Sequence, residues 1–315
     1  ESEYQPPDGV TRVSLSDYVS SSNIVLNFWG KVRTLHSYIK NNSIDTVLIM
    51  GIPICIIGIL GALGTKAKIV VSERNDPSHF SGKPIVKYIS RFLMRFANGY
   101  VFQTEDAQKY YLKIVKGKGT VIPNPILLNT IPCPYKGKRE KVIVTVGRLN
   151  KQKNHKLLID AYLDIKSSFP EYKLTIYGEG NLEQELKNYV SKRNAQESIM
   201  FPGNIANVLE EIQDAYMFVL TSDFEGMPNA LIEAMAIGLP CVSTDCSCGG
   251  PKYLITNEEN GLLVPTNNKE ELIQAMLRLL RDEEFAAQLG QNATKIQDSL
   301  NINKIGGAWY EYLNS

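Results

Sequence analysis

Short apolar runs alternate with amphipathic stretches along most of the chain, a pattern that predicts strands separated by helices. After a loop-like opening over 1–9, the periodicity predicts a helix over 24–41, a strand over 46–50 and a second helix over about 53–63. Strands follow at 68–72, 101–104 and 119–123, with an amphipathic helix over 83–98 between the first two. From 141 the alternation runs on through strands at 141–147, 173–177, 199–201, 215–220, 240–243 and 261–264. Helices are predicted from 155, over 181–193, from Pro228, and near 269–280, 283–296 and 301–313. Continuous apolar strands between helices define an α/β chain with parallel, doubly wound sheets. At 315 residues there is room for two such domains. Residues 129–140, with Pro132, Pro134 and Gly137, read as the linker. The expected division is 1–136, 137–300 and a terminal helix over 301–315 that packs back toward the first domain.

Residues 46–64 carry no charge and nearly match a bilayer span. Gly51-Ile-Pro53 breaks the run where a strand-to-helix turn falls, and Gly58, Gly61 and Gly64 permit close packing, so a buried strand–helix unit is expected. The formal charge of +1 hides an asymmetry: 16 Lys+Arg face 9 Asp+Glu over 1–136, and 18 face 24 over the remainder. A basic first half points to an anionic partner. No basic run interleaved with aromatics supports nucleic acid. Lys83, Lys87, Arg91 and Arg95 recur every four residues on the 83–98 helix, with Ile85, Ile89, Phe92, Leu93 and Phe96 as its apolar side. Two readings stand: a solvated surface face, or a face resting on an anionic bilayer. Of five cysteines only Cys246 and Cys248 are close, too few for a zinc site, so free thiols in a reducing cytosol are expected.

Chemistry concentrates in 221–240, TSDFEGMPNALIEAMAIGLP. It follows the strand at 215–220 and turns helical at Pro228, whose missing N–H costs nothing in a first turn. The amides of Asn229, Ala230 and Leu231 then offer an anion site. Glu225 in the loop and Glu233 inside the helix reach different parts of a two-ended polar ligand. Gly147, Arg148 and Lys153 fill the turn after another strand, where two cations suit a diphosphate. The loop Glu73, Arg74, Asn75 also follows a strand, at the ligand edge of an open sheet. Gly178-Glu-Gly180 lacks the third glycine of a dinucleotide fingerprint, which disfavours a dehydrogenase.

Glu225 and Glu233 at this spacing, with Gly147-Arg148 and Lys153, resemble the signature of retaining glycosyltransferases of family 4, and the likeness covers most of the chain. It implies a GT-B fold, two Rossmann-like domains facing a cleft. It also implies a UDP-sugar donor and a saccharide or lipid-linked saccharide acceptor, in polysaccharide or glycan biosynthesis. By analogy, Arg148 and Lys153 hold the diphosphate, Glu233 the ribose and Glu225 the transferred sugar. Gly147, Gly178, Gly203, Asn204, Ser222, Gly226, Met227 and Pro228 join Asn229, Ala230 and Leu231 in the donor site. No metal or other cofactor is implied. By the same resemblance Arg74 stands where many relatives carry a histidine, and two readings of His79 stand: a substitute for it, or an exposed loop histidine. The family's opening strand and glycine-rich loop are missing, so the first domain is expected to be incomplete. The resemblance places the protein in the cytoplasm or on the inner face of the membrane. The competing reading is a nucleotide-sugar-binding fragment without efficient turnover.

Overall fold

The computed structural model describes residues 7–19, 22–80, 82–117 and 119–315. Most of the loop-like opening, residues 1–6, lies outside the described residues. Contacts group the chain into two compact units. One comprises Glu1–Glu73, Phe80–Val101 and Tyr111–Thr120, the other Arg74–His79, Phe102–Tyr110 and Val121–Ser315.

The smaller unit carries a four-stranded sheet whose order follows the chain: β1 (Thr46–Met50), β2 (Lys68–Ser72), β3 (Gly99–Phe102) and β4 (Gly119–Val121). β1 and β3 each pair parallel to β2. Helix Ile24–Asn41 starts where the Asn23 carboxamide oxygen accepts from the amides of Val25 and Leu26, which leaves two fewer orphan donors. The uncharged 46–64 run forms β1 and helix Cys55–Ala62. Among the described residues no helix is long and apolar enough to cross a membrane. A Cβ on Gly58 would come 2.7 Å from Ile49, and one on Gly61 2.7 Å from Leu35, so this helix is pressed close to its neighbours.

The basic helix runs over Pro84–Leu93 and tightens into a 3-10 turn at Met94–Phe96. Its apolar side divides, against the single apolar face expected. Ser90, Leu93 and Met94 are buried, with Ser90 Oγ donating to the Ile52 carbonyl at 3.3 Å. Ile85, Tyr88, Ile89, Phe92 and Phe96 stay 41–69% exposed. Spacing defined an apolar stripe but not which neighbours would cover it.

In the larger unit β5 (Glu140–Val146), β6 (Lys173–Tyr177), β7 (Ile199–Gly203), β8 (Ala215–Leu220), β9 (Cys241–Asp245) and β10 (Leu262–Pro265) form one parallel sheet. Its order is β10-β9-β8-β5-β6-β7. The chain therefore builds outward through β6 and β7, then returns to build the other way from β8. This is the doubly wound order, whose reversal leaves a crevice at the strand carboxyl ends beside β5 and β8. Every residue of β8 is buried, as a central strand covered on both faces requires. The core is the apolar layer around Ile143, Leu174, Ile176, Met217, Val219 and Val242.

The strand expected at 101–104 ends at Phe102, because Gln103 and Thr104 leave the ladder to bond through their side chains. The expected linker is pinned by Arg139, whose guanidinium donates to the carbonyls of Gln213, Ala215 and Gly238 at 3.1, 2.9 and 2.6 Å. Helix Ile302–Asn314 ends the larger unit, reached through a parallel bridge between Ile126 and Asn301.

The turns after β5, β6 and β7 are laced together. The Gly178 amide donates to the Gly203 carbonyl at 2.8 Å and the Leu149 amide to the Glu179 carbonyl at 2.9 Å. Gly178 has φ +125°, and a Cβ there would lie 2.1 Å from the Gly147 carbonyl oxygen. Gly178→Ala is expected to lose about 2–4 kcal/mol, combining backbone strain with overpacking. Gly306→Ala, in a helix with nothing within 4 Å of the new methyl, should gain about 0.5–1 kcal/mol. Urea denaturation of both variants checks the contrast, which depends on the tight lacing of these turns.

Candidate active site

Two loops straddle the reversal point. The first leaves β5 at Gly147 and passes exposed Arg148 and buried Leu149. It then makes a 3-10 turn over Lys151–Lys153, capped by Asn150, whose side-chain oxygen accepts from the Lys153 amide. Asn154 sits in the left-handed region at φ 46° before helix His155–Lys166 begins. The second loop leaves β8 at Thr221. Thr221 Oγ donates to the Lys153 carbonyl at 3.0 Å, the Asp223 amide to the Gln152 carbonyl at 2.8 Å, and Asn154 Nδ2 to Asp223 Oδ1 at 2.8 Å.

Where the loops meet, Lys153 Nζ lies 2.6 Å from Glu225 Oε1, with side chains only 14% and 9% exposed. Ser222 Oγ also donates to Oε1 at 2.6 Å, and Gln152 Nε2 reaches Oε2 at 3.3 Å. The two residues that the resemblance assigned to diphosphate and sugar are thus partners of each other. Sequence order could not show this, since 72 positions separate them. The Arg148 side chain makes no hydrogen bond or ion pair among the described residues, while its carbonyl accepts from the Asn150 amide at 2.9 Å. The neighbouring His155 adds no positive charge at neutral pH, because burial and Lys153 push its pKa down to about 4.

Helix Asn229–Ala236 follows, with Pro228 as its N-cap residue. One expected feature is corrected. The Leu231 amide already donates to the Pro228 carbonyl at 3.1 Å, because the first turn closes on itself, so it is not open to an anion. Asn229 and Ala230, the first two helical residues, precede any intrahelical acceptor. Glu233 is half-buried and its carboxylate has no partner among the described residues. Burial raises its pKa above the ordinary carboxylate value.

The loop 74–79 belongs to this unit, although Glu73 does not. Glu73 is buried in the smaller unit, where its carboxylate accepts from the Tyr111 hydroxyl at 3.0 Å. Arg74 hydrogen-bonds Asn124, which also accepts from Gln103 Nε2 at 2.7 Å and donates to Asn229 Oδ1 at 2.6 Å. Gly226 lies against this loop, since a Cβ there would come 2.7 Å from the Arg74 carbonyl oxygen and 3.1 Å from Asn75 Cα. Met227 is buried with its sulfur accepting from the Asn124 amide, while Asn204 is exposed beside Gly203. Asn124 was not singled out in the sequence, where it only follows the strand expected at 119–123. Burial pushes the Cys246 thiol up to about 12, so it is protonated at neutral pH.

Sheet order and loop geometry together describe a doubly wound domain with its polar loops gathered at the reversal point. The chain belongs to the group 1 glycosyl transferase family, whose model matches residues 134–296, more than half of its length. It is 27% identical over 286 residues to an uncharacterized glycosyltransferase of Haemophilus influenzae, across 90% of this chain and 80% of that one. It is 29% identical over 286 residues to the N-acetylgalactosamine-N,N'-diacetylbacillosaminyl-diphospho-undecaprenol 4-alpha-N-acetylgalactosaminyltransferase of Campylobacter jejuni, across 87% and 77%. Among solved structures, HepE of Anabaena with UDP and glucose matches with a TM-score of 0.79 at 19% identity, across 91% of this chain and 81% of that one. A TarM variant of S. aureus, in complex with fondaparinux, alpha-GlcNAc-glycerol and UDP, matches at 0.79 and 20% identity. That match covers 90% of this chain but 59% of the other, so the chain spans just over half of TarM. These likenesses establish the GT-B fold.

The raised pKa of Glu233 has a testable sign. Its charged form is penalised in the folded state, so the penalty is absent below about pH 4.3 and grows as pH rises through the raised folded value. Glu233→Gln is therefore expected to unfold at higher urea concentration than the wild type at pH 7, with the gain shrinking toward pH 4. A gain of equal size at both pH values contradicts the burial account.

Proposed function

We propose that the chain is a retaining hexosyltransferase that moves a sugar from a UDP-linked donor to a hydroxyl of a saccharide or lipid-linked saccharide. The observation that carries this reading is the buried Lys153–Glu225 pair at the sheet reversal, accompanied by Arg148 and Glu233 side chains that have no partner among the described residues. In this reading Arg148 and Lys153 take the diphosphate, Glu233 the ribose hydroxyls and Glu225 the sugar hydroxyls. The Campylobacter relative named for a diphospho-undecaprenol substrate supports a lipid-linked acceptor. The complexes of HepE and TarM support UDP.

The chemistry follows from where charge develops. As the bond from the sugar's anomeric carbon to the phosphate oxygen breaks, the leaving nucleoside diphosphate gains negative charge. Arg148 and the helix amino end meet that charge better in the transition state than in the ground state. The acceptor oxygen bonds to the anomeric carbon from the face that UDP leaves, so configuration is retained. Its proton passes to the departing phosphate oxygen. Lys153 is held off the phosphate by Glu225 until a donor competes for it, and sugar hydroxyls then replace it as donors to that carboxylate.

Arg148→Ala is expected to weaken UDP binding by about 1.5–3 kcal/mol, the worth of one charge-assisted contact. Glu225→Gln should spare UDP relative to UDP-sugar. Calorimetry with both ligands checks this, and unchanged UDP affinity in Arg148→Ala removes the turn from the phosphate site.

For the acceptor side we propose that helix Pro84–Leu93 rests on an anionic bilayer. Lys83, Lys87, Arg91 and Arg95 supply charge, and exposed Ile85, Tyr88, Ile89 and Phe92 supply apolar and aromatic side chains to the interface. Each basic residue near such a surface contributes about 1 kcal/mol, screened by salt. The expected outcome is co-sedimentation with phosphatidylglycerol vesicles at low salt, reduced by Phe92→Ser and by Lys87→Glu. No sedimentation of the wild type leaves the face a solvated one.

A further inference from the structure

One cluster beside the Glu225 loop is not used by the roles above. Asp76 is 3% exposed, and four groups converge on its carboxylate. Oδ1 accepts from the Ser78 amide at 2.8 Å and Ser78 Oγ at 2.6 Å, and Oδ2 from His79 Nδ1 at 2.8 Å and from Ser247 Oγ. Burial alone raises a carboxyl pKa, but here the bonds from Ser247, Ser78 and His79 outweigh it and hold Asp76 low. Asp76 is thus an acceptor only, so the proton of a neutral His79 sits on Nδ1 and the lone pair on Nε2.

Packing fixes the ring as firmly as its proton. The His79 imidazole lies flat on the Phe224 ring, with centroids 4.1 Å apart and planes at 2°. Phe224 immediately precedes Glu225, and Ser247, which holds Asp76, also accepts the Glu225 amide at 2.8 Å. Ser247 therefore ties the Glu225 backbone through its carbonyl and the Asp76–His79 pair through its hydroxyl. His79 keeps 47% of its side chain exposed, and its Nε2 has no partner among the described residues. A surface histidine needs neither a buried carboxylate on one nitrogen nor a coplanar aromatic floor. An oriented acceptor beside a sugar-binding carboxylate uses both.

We propose that His79, oriented by Asp76 and Phe224, accepts through Nε2 a hydrogen bond from one hydroxyl of the transferred sugar, and that it sets donor-sugar preference. Asp76 is a positioning residue. It holds the tautomer that leaves Nε2 an acceptor, and Phe224 holds the ring plane. This inference rests on the proposed UDP-sugar reading of the same site. It adds a residue that distinguishes one hexose from another.

The test uses the full chain and binding, with no acceptor needed. UDP, UDP-glucose, UDP-galactose, UDP-N-acetylglucosamine and UDP-N-acetylgalactosamine are titrated by calorimetry, followed by the monodeoxy forms of the tightest donor. His79→Ala is expected to leave UDP affinity within about twofold and to weaken that donor about tenfold, the worth of one hydrogen bond. The loss should disappear for one monodeoxy donor, the one lacking the contacted hydroxyl. His79→Gln, which keeps an acceptor, should recover part of the affinity. Asp76→Asn should weaken the donor while sparing UDP. Equal losses for UDP and UDP-sugar, or a loss that persists for every monodeoxy donor, overturn the proposal and reduce His79 to a packing role. A wild type that binds UDP-sugars but is indifferent to His79→Ala defeats only this inference. A wild type that binds no nucleotide sugar defeats the functional reading and this inference with it.

Discussion

The arrangement of this site depends on one buried ion pair at one topological event. The chain reverses its direction of sheet building between β5 and β8, so the two loops that leave these strands must emerge side by side. The Lys153–Glu225 contact at 2.6 Å makes that adjacency specific. Taking both charges from water is costly, and removing one partner from such a pair typically costs about 3–5 kcal/mol because the other is left uncompensated. Ser222 and Gln152 reduce the cost by completing the bonds of the carboxylate. The pair keeps the cation and the carboxylate in place at the crevice.

Around that satisfied pair stand groups that are not satisfied. Among the described residues the exposed Arg148 side chain and the half-buried Glu233 carboxylate have no partner, and burial raises the Glu233 pKa. A folded chain gains nothing from a desolvated carboxylate without a partner. Such a group makes sense where a ligand brings hydroxyl donors to it. The difference between Glu225 and Glu233 is therefore physical as well as positional. One is held by three protein donors, and the other is left without any.

Much of the fold was legible because its strands are buried on both faces and so read as uninterrupted apolar runs. Ala215–Leu220, Lys173–Tyr177, Thr46–Met50 and Lys68–Ser72 run as their patterns predicted. The loops that carry Arg148, Lys153, Glu225 and Glu233 were legible for the same reason, since strand ends mark them. Pairings between distant segments were not. Nothing local links Lys153 to Glu225, Asn124 to Asn229 or Asp76 to Ser247, the last 171 positions apart. Spacing likewise gave helix 84–93 an apolar stripe, but the choice of Ser90, Leu93 and Met94 as its buried side depends on what the sheet presents. The Leu231 amide was misjudged because its acceptor, the Pro228 carbonyl, is supplied only when the first turn closes.

The loop 74–79 shows why a residue's role is better judged by what it touches than by its position relative to a motif. Arg74, which the resemblance set in the place of a histidine, is engaged with Asn124, which spans to Asn229 at the helix start. His79, five residues on, is instead held by a buried carboxylate and laid against Phe224 beside Glu225. Gly226 allows this geometry, for any side chain there would strike the Arg74 carbonyl and Gln103 Oε1. The glycine lets the backbone of Arg74 and Asn75 lie against the Glu225 loop, in the same segment that carries Asp76 and His79. A larger residue at 226 would press on Arg74 and Asn75, so the loop and the Glu225 segment could not keep this spacing.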